Sequence, residues 1–146
     1  MFERFFRSVH RRADAIRIAE AALKCLSPVF FVADCAPEGK LKMGIKEDEF
    51  VISYVYGVVI FFVDLMQVAD DETKGYVLLE VYDRLFPGHG RAIVSLCDAR
   101  AMERADAFIA GMKTGFGEMS RVAESEGASG LPGLLDYLAT HWGYAA

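Results

Sequence analysis

Apolar residues along this chain recur mainly at helical spacing, and turn signals interrupt the pattern at only a few places. At about 100° per residue, Phe2, Phe5, Phe6, Val9, Ala13, Ile16 and Leu23 fall on one side of a helix, with Arg4, Arg7 and Arg11 opposite. This predicts a basic amphipathic first helix over residues 1–26. It should end at Ser27-Pro28, because proline has no N–H to donate and restricts the residue before it. Residues 29–33 form a short apolar piece of undetermined form. Residues 34–45 mix Pro37, Gly39, Gly44 and charges without periodicity, and read as a loop.

Glu47-Asp48-Glu49 then places three acids where the positive end of a helix dipole favours them. The pattern predicts a helix over about 46–69. Within it, residues 50–63 run for fourteen positions without a charge. A helix apolar on every side has to be surrounded by protein, so this one should be the centre of the core. The competing reading is a buried strand pair broken at Gly57, which would make the fold α+β, since seven of the fourteen residues are Val or Ile. Length and the acidic lead-in favour the helix. A membrane span needs about 20 apolar residues, and this run stops short of that at Asp64.

Asp70-Asp71-Glu72-Thr73 can cap a helix over about 71–86, covered by Val77, Leu78, Val81, Leu85 and Phe86. Pro87-Gly88-His89-Gly90 ends it. A long pattern follows over 91–124, with Ile93, Cys97, Ala101, Ala105, Phe108, Met112, Met119 and Ala123 on one stripe. Gly111, Gly115 and Gly117 weaken it and predict a bend or break near 115–117. Residues 127–130 read as a flexible connector. Pro132 suits the first turn of a final helix over 131–142, with Leu134, Leu135, Leu138 and Trp142 facing inward. The expectation is one all-α domain over residues 1–146, with about five helices packed around the central one.

The chain has 146 residues, of which 53% are hydrophobic and 25% charged, the balance of a globular domain and not of a disordered or polytopic membrane chain. Its net charge of −5 disfavours nucleic-acid binding. That charge is unevenly spread: residues 1–24 carry six basic against three acidic residues, and the remainder carries ten against eighteen. The amino-terminal segment therefore differs electrostatically from the rest. Met1-Phe2-Glu3-Arg4-Phe5-Phe6-Arg7 lacks the unbroken apolar run of a secretory signal, so a cytoplasmic location is expected. An Arg-rich amphipathic start shares its charge pattern with organellar transit peptides, but Glu3, Asp14 and Glu20 interrupt it.

Candidate chemistry is sparse. Arg4, Arg7, Arg11 and Arg12 line the basic face of the first helix, which suits an acidic protein partner, a second copy of the chain or an anionic membrane surface. An ordinary surface helix whose aromatic stripe packs on the core accounts for the same residues. His89 and Arg91 flank a glycine-rich turn, where backbone approach and positive charge could hold an anion; a plain helix connector explains it as well. Three cysteines, Cys25, Cys35 and Cys97, form neither a disulfide framework nor a zinc pattern. Cys35 is the thiol expected to be most exposed. The acids 64, 70–72, 80 and 83 lack the Glu-x-x-His pairing of bundle metal sites and read as caps. His89, in a turn, is unsuited to be a proximal haem ligand.

No catalytic residue, metal site or cofactor is therefore expected. The residue pattern fits a non-enzymatic interaction or regulatory module that binds a protein partner or itself as a homodimer. The alternatives are peripheral attachment to an anionic membrane through the first helix, and a pocket protein enclosing a lipid-like or aromatic ligand. For the pocket, Tyr54, Phe61, Phe62 and Phe108 would form the lining.

Overall fold

A computed structural model describes the backbone of residues 2–34, 44–125 and 130–143, and the side chains of these apart from 2–10 and 31–34. The side chains of Arg4 and Arg7, and all of Cys35, lie outside the described residues. The described residues form six α-helices: α1 (Phe2–Asp34), α2 (Glu49–Leu65), α3 (Asp71–Leu85), α4 (Gly90–Met102), α5 (Asp106–Glu124) and α6 (Pro132–Trp142). A 3-10 turn, Ile45–Glu47, precedes α2. No strand occurs among the described residues. Residues 50–63 are helical throughout, which removes the strand-pair alternative.

The single helical domain is built around α2, as its uncharged run predicts. Val51, Ile52, Ser53, Tyr54, Val55, Gly57, Val58, Val59 and Val63 are all buried, so the helix is enclosed around most of its circumference, with Tyr56, Ile60, Phe61 and Phe62 half-buried. Asp48 caps it, its carboxylate accepting from Val51 N–H at 3.1 Å. Helix α2 is shorter than the predicted 46–69, because Gln67 adopts a left-handed φ of 56°. Val68 N then bonds Val63 O at 3.1 Å, and Gln67 N bonds Asp64 O at 3.1 Å, satisfying carbonyls the helix end leaves open.

The predicted 91–124 helix is two helices, and the division lies at 103–105 instead of 115–117. Arg104 takes a φ of 51°. Ala105 N bonds Arg100 O at 3.2 Å and Arg104 N bonds Ala101 O at 3.1 Å, the same terminating pair as after α2. Both stops use a non-glycine residue where glycine is the usual signal, so neither was visible in the sequence. The glycines expected to break the helix do something else. A β-carbon at Gly111 would meet the Ser53 side chain, one at Gly115 the main chain of Tyr54, and one at Gly57 would come within 2.8 Å of Phe116 N. Gly111 and Gly115, one turn apart, share the α5 face on which α2 and α5 approach backbone to backbone.

Helix α1 also departs from expectation. It runs through Pro28 to Asp34. The missing donor of Pro28 leaves the Lys24 carbonyl without its helical partner, a cost of about 3 kcal/mol in a helix interior. Burial of Leu26, Val29 and Phe30 on either side of the proline offsets it. Phe30 meets Phe86 edge to face at 5.6 Å between centroids.

The stripe of α1 that packs on the core is Ala15, Ile18, Ala19, Ala22, Leu23, Leu26, Val29 and Phe30. Leu23 is buried as the pattern predicts, whereas the predicted inward face is corrected at Ala13 and Ile16. Ala13 is exposed, and Ile16 keeps 41% of its surface accessible. The stripe carrying Ala13 and Ile16 lies roughly 110° round the axis from the buried one.

Candidate functional site

The most distinctive surface lies along the outer side of α1 where it meets α3. Arg12, Ile16, Glu20, Leu23 and Ser27 follow one another up α1 at four- and three-residue spacing, which sets them close to one face, with Arg11 and Lys24 adjoining it. Helix α3 runs beside them in the same direction: Arg11 meets Asp70 and Glu72 at its start, and Glu20 meets Arg84 near its end. Two open grooves lie along this seam. The larger, about 680 Å³, is lined by Glu20, Leu23, Lys24, Ser27, Pro28 and Arg84. A smaller one of about 280 Å³ is lined by Arg12, Ala15, Ile16, Tyr76, Leu79 and Glu80.

The charges along the seam are engaged to different degrees. Arg11 Nε stands 3.7 Å from Asp70 Oδ2, and a second nitrogen bonds Glu72. Asp70 also caps α3, accepting from Thr73 N–H at 2.8 Å and Thr73 Oγ1 at 2.6 Å. The Thr73 hydrogen bonds, with Arg11 alongside, hold the Asp70 carboxyl below its usual range. Arg12 lies over the Tyr76 ring, 5.2 Å from its centroid. Arg84 is held by Glu80 at 2.8 Å and reaches Glu20 only at 4.0 Å. Glu20 is thus loosely engaged.

Of the basic residues expected to act together, the structure brings Arg11 and Arg12 to the start of α3, where the chain's own acids and an aromatic ring receive them. His89 and Arg91 are exposed at the far end of α3, and Phe30 against Phe86 marks how far up α1 that end lies. The expected anion-holding turn contains an internal carboxylate: Asp83 Oδ1 accepts from both Gly88 N–H and Gly90 N–H at 3.2 Å. It stands at the positive end of α4, where an incoming anion would otherwise be favoured.

The aromatic residues named as a pocket lining are packed against protein. Tyr54 and Phe108 have no exposed surface. Tyr54 OH donates to Glu118 Oε1 at 2.5 Å, and burial with that contact pushes its phenol far up. Phe108 meets Tyr56 edge to face at 5.4 Å. Phe61 contacts Phe62 at 5.3 Å and Phe116 at 5.7 Å. None of the four residues lines either groove.

Several polar contacts went unread in the sequence because they join distant positions. Glu118 also accepts from Gly133 N–H at 3.0 Å, tying the start of α6 to α5. Asp48 receives Tyr137 OH at 2.9 Å and Trp142 Nε1 at 2.9 Å, tying the end of α6 to the start of α2. Phe50, Tyr137 and His141 stack in sequence at 4.3 and 4.1 Å. Tyr82 OH donates to Ile52 O at 2.5 Å and lies 3.5 Å from Cys97 Sγ. Burial raises the Cys97 thiol to about 11, and raises Cys25 as well, the opposite of an activated nucleophile.

Among the described residues, no cluster of His, Cys, Asp and Glu has the geometry of a metal site, and no helix is long and apolar enough to cross a membrane. Every buried side-chain polar atom among them has a hydrogen-bond partner. Comparisons with protein-family models, with curated proteins and with solved structures find no match to this chain.

Proposed function

We propose that this chain is a non-enzymatic interaction module that engages a protein partner, or a second copy of itself, through the outer face of α1 and the adjoining edge of α3. The observation that supports it is the double character of α1. One stripe of the helix already satisfies the core. Beside it run the two grooves, one lined by Ile16, Tyr76 and Leu79 and the other edged by Leu23 and Pro28, with Arg12, Glu20, Lys24, Glu80 and Arg84 interspersed. An apolar strip rimmed by charges is the usual composition of a protein-docking surface. A single helix laid into such a groove would bury the apolar positions and leave the charges at the rim.

Attachment to an anionic membrane draws on the same helix, but Arg11 is committed to Asp70 and Glu72, which removes one of the four arginines from that role. Protein docking uses the grooves and keeps those internal pairs.

The test is photo-crosslinking in cells, with a photoreactive phenylalanine replacing Ile16 and, as control, the exposed Ser95 of α4. Discrete protein adducts at position 16 and background at position 95 are expected. Equal background at both positions would overturn the reading.

A further inference from the structure

We infer that the partner on this face is an acidic amphipathic helix of another protein, its apolar residues seated in the two grooves and its carboxylates set against Arg12, Arg17 and Lys24. This deepens the reading above and rests on it.

The argument begins with the charges that the fold has already used. Residues 1–24 carry six basic against three acidic residues, in a chain whose net charge is −5. The described cations of that segment are Arg11, Arg12, Arg17 and Lys24. Arg11 is received by Asp70 and Glu72. The other three are exposed and form no ion pair among the described residues, Arg12 resting on the Tyr76 ring. The acids along the seam are in the opposite condition: Asp70 and Glu72 face Arg11, and Glu80 and Glu20 face Arg84. The face has cations to offer and few carboxylates left to receive others, so charge complementarity selects an acidic partner.

Placement gives that partner its form. At about 100° per residue, Arg12 falls on one side of the line through Ile16 and Leu23, and Arg17 and Lys24 fall on the other. A helix lying on this line has a cation at each edge. From Arg12 to Lys24 is a rise of about 18 Å, or about three turns of such a helix. Apolar seats lie between: Ile16, Tyr76 and Leu79 at the smaller groove, Leu23 and Pro28 at the larger. A helix with an apolar residue every three or four positions would place successive turns in them. Glu20, 4.0 Å from Arg84, can turn to that guanidinium as the partner's carboxylates approach.

An anionic membrane shares part of this chemistry and fits less well. A bilayer surface is negative throughout, so it would meet Glu20 and Glu80 as well as the cations, and it would leave the grooves unfilled. A helix can place its carboxylates only where the cations stand.

The test is selection of binders to the full chain from a displayed library of amphipathic helical peptides, followed by fluorescence anisotropy of a selected peptide. Circular dichroism confirms that each variant is folded. Selected sequences should carry Asp or Glu on both flanks of an apolar stripe. Arg12→Glu with Lys24→Glu should weaken the selected peptide by about tenfold or more, and exchanging the peptide's acids for Lys should recover most of the loss, since charge pairs across an interface are coupled. Ile16→Asp should abolish binding. Neutral or basic selected sequences, or affinity unchanged by the double charge reversal, overturn the acidic helix. Sedimentation with phosphatidylserine vesicles that the same reversal removes would assign the cations to a membrane instead. Adducts at position 16 formed only with a second copy of the chain would overturn a separate partner. Adducts to another protein without acidic binders overturn the partner's charge alone, whereas the absence of both adducts and binders removes the docking reading as well.

Discussion

Gly115 of α5 sets its bare Cα against the main chain of Tyr54 in α2: a β-carbon built there would stand 2.9 Å from the Tyr54 carbonyl carbon and 3.1 Å from its Cα. Main-chain atoms in the middle of a buried helix cannot rotate aside, so an added methyl has to push the two helices apart. Gly115→Ala is expected to lower stability by about 3 kcal/mol in urea unfolding, at the upper end for overpacking. Gly117, two residues on, has nothing near its would-be β-carbon. Gly117→Ala should therefore raise stability by about 0.5–1 kcal/mol through helix propensity and a less flexible unfolded chain. Similar effects of the two substitutions would show that the helices do not approach as closely as described.

Gln67 and Arg104 each hold a left-handed backbone to close a helix, at φ of 56° and 51°. A side chain in that conformation costs about 1–2 kcal/mol that glycine does not incur. Gln67→Gly and Arg104→Gly are accordingly expected to raise the free energy of unfolding by up to about 1 kcal/mol each after the added entropy of the unfolded chain, read as a higher midpoint of thermal unfolding. Destabilisation by both would contradict the assigned helix ends.

Asp48 joins three elements of the fold, capping Val51 and receiving the hydroxyl of Tyr137 and the indole of Trp142. Asp48→Ala removes the cap and strands two partly buried donors. A loss of about 2–3 kcal/mol is expected. Because Trp142 is the single tryptophan of the chain, its fluorescence reports this site without interference. Its emission should shift to longer wavelength in the variant before global unfolding begins. An unchanged spectrum would mean that α6 does not depend on Asp48 for its seat.

Alkaline pH should act through the tyrosines. Partial burial and the adjacent Asp48 carboxylate push Tyr137 up to about 12, against an unfolded value near 10.0. Tyr54 and Tyr82 are raised in the same direction, mainly by burial. Between those two values the unfolded chain has lost protons that the folded chain retains, so stability is complete below about pH 10 and falls as pH rises through about 12. Thermal midpoints measured across this window should decline, and Tyr137→Phe should decline less steeply than the wild type. Parallel curves would exclude Tyr137 as a contributor.

The sequence by itself determined the helical class, the central place of α2 and most helix starts. Those properties are carried by local signals: a fourteen-residue uncharged run can only be enclosed, Asp48 and Asp70 cap within their own turn, and Pro132 opens a helix with the φ it already has. The tertiary structure decided which of two apolar stripes on α1 faces the core, because both have helical period and only the neighbours α2 and α3 select between them. It also turned Gly111 and Gly115 from expected breaks into points of contact, since the penalty of a glycine is local whereas the benefit of close approach comes from Ser53 and Tyr54, more than fifty positions away. The continuation of α1 through Pro28 follows the same logic: a local rule ends the helix there, and burial of Leu26, Val29 and Phe30 against the rest of the fold outweighs it. Periodicity specifies that a face is apolar, and only the packing of distant elements specifies what that face meets.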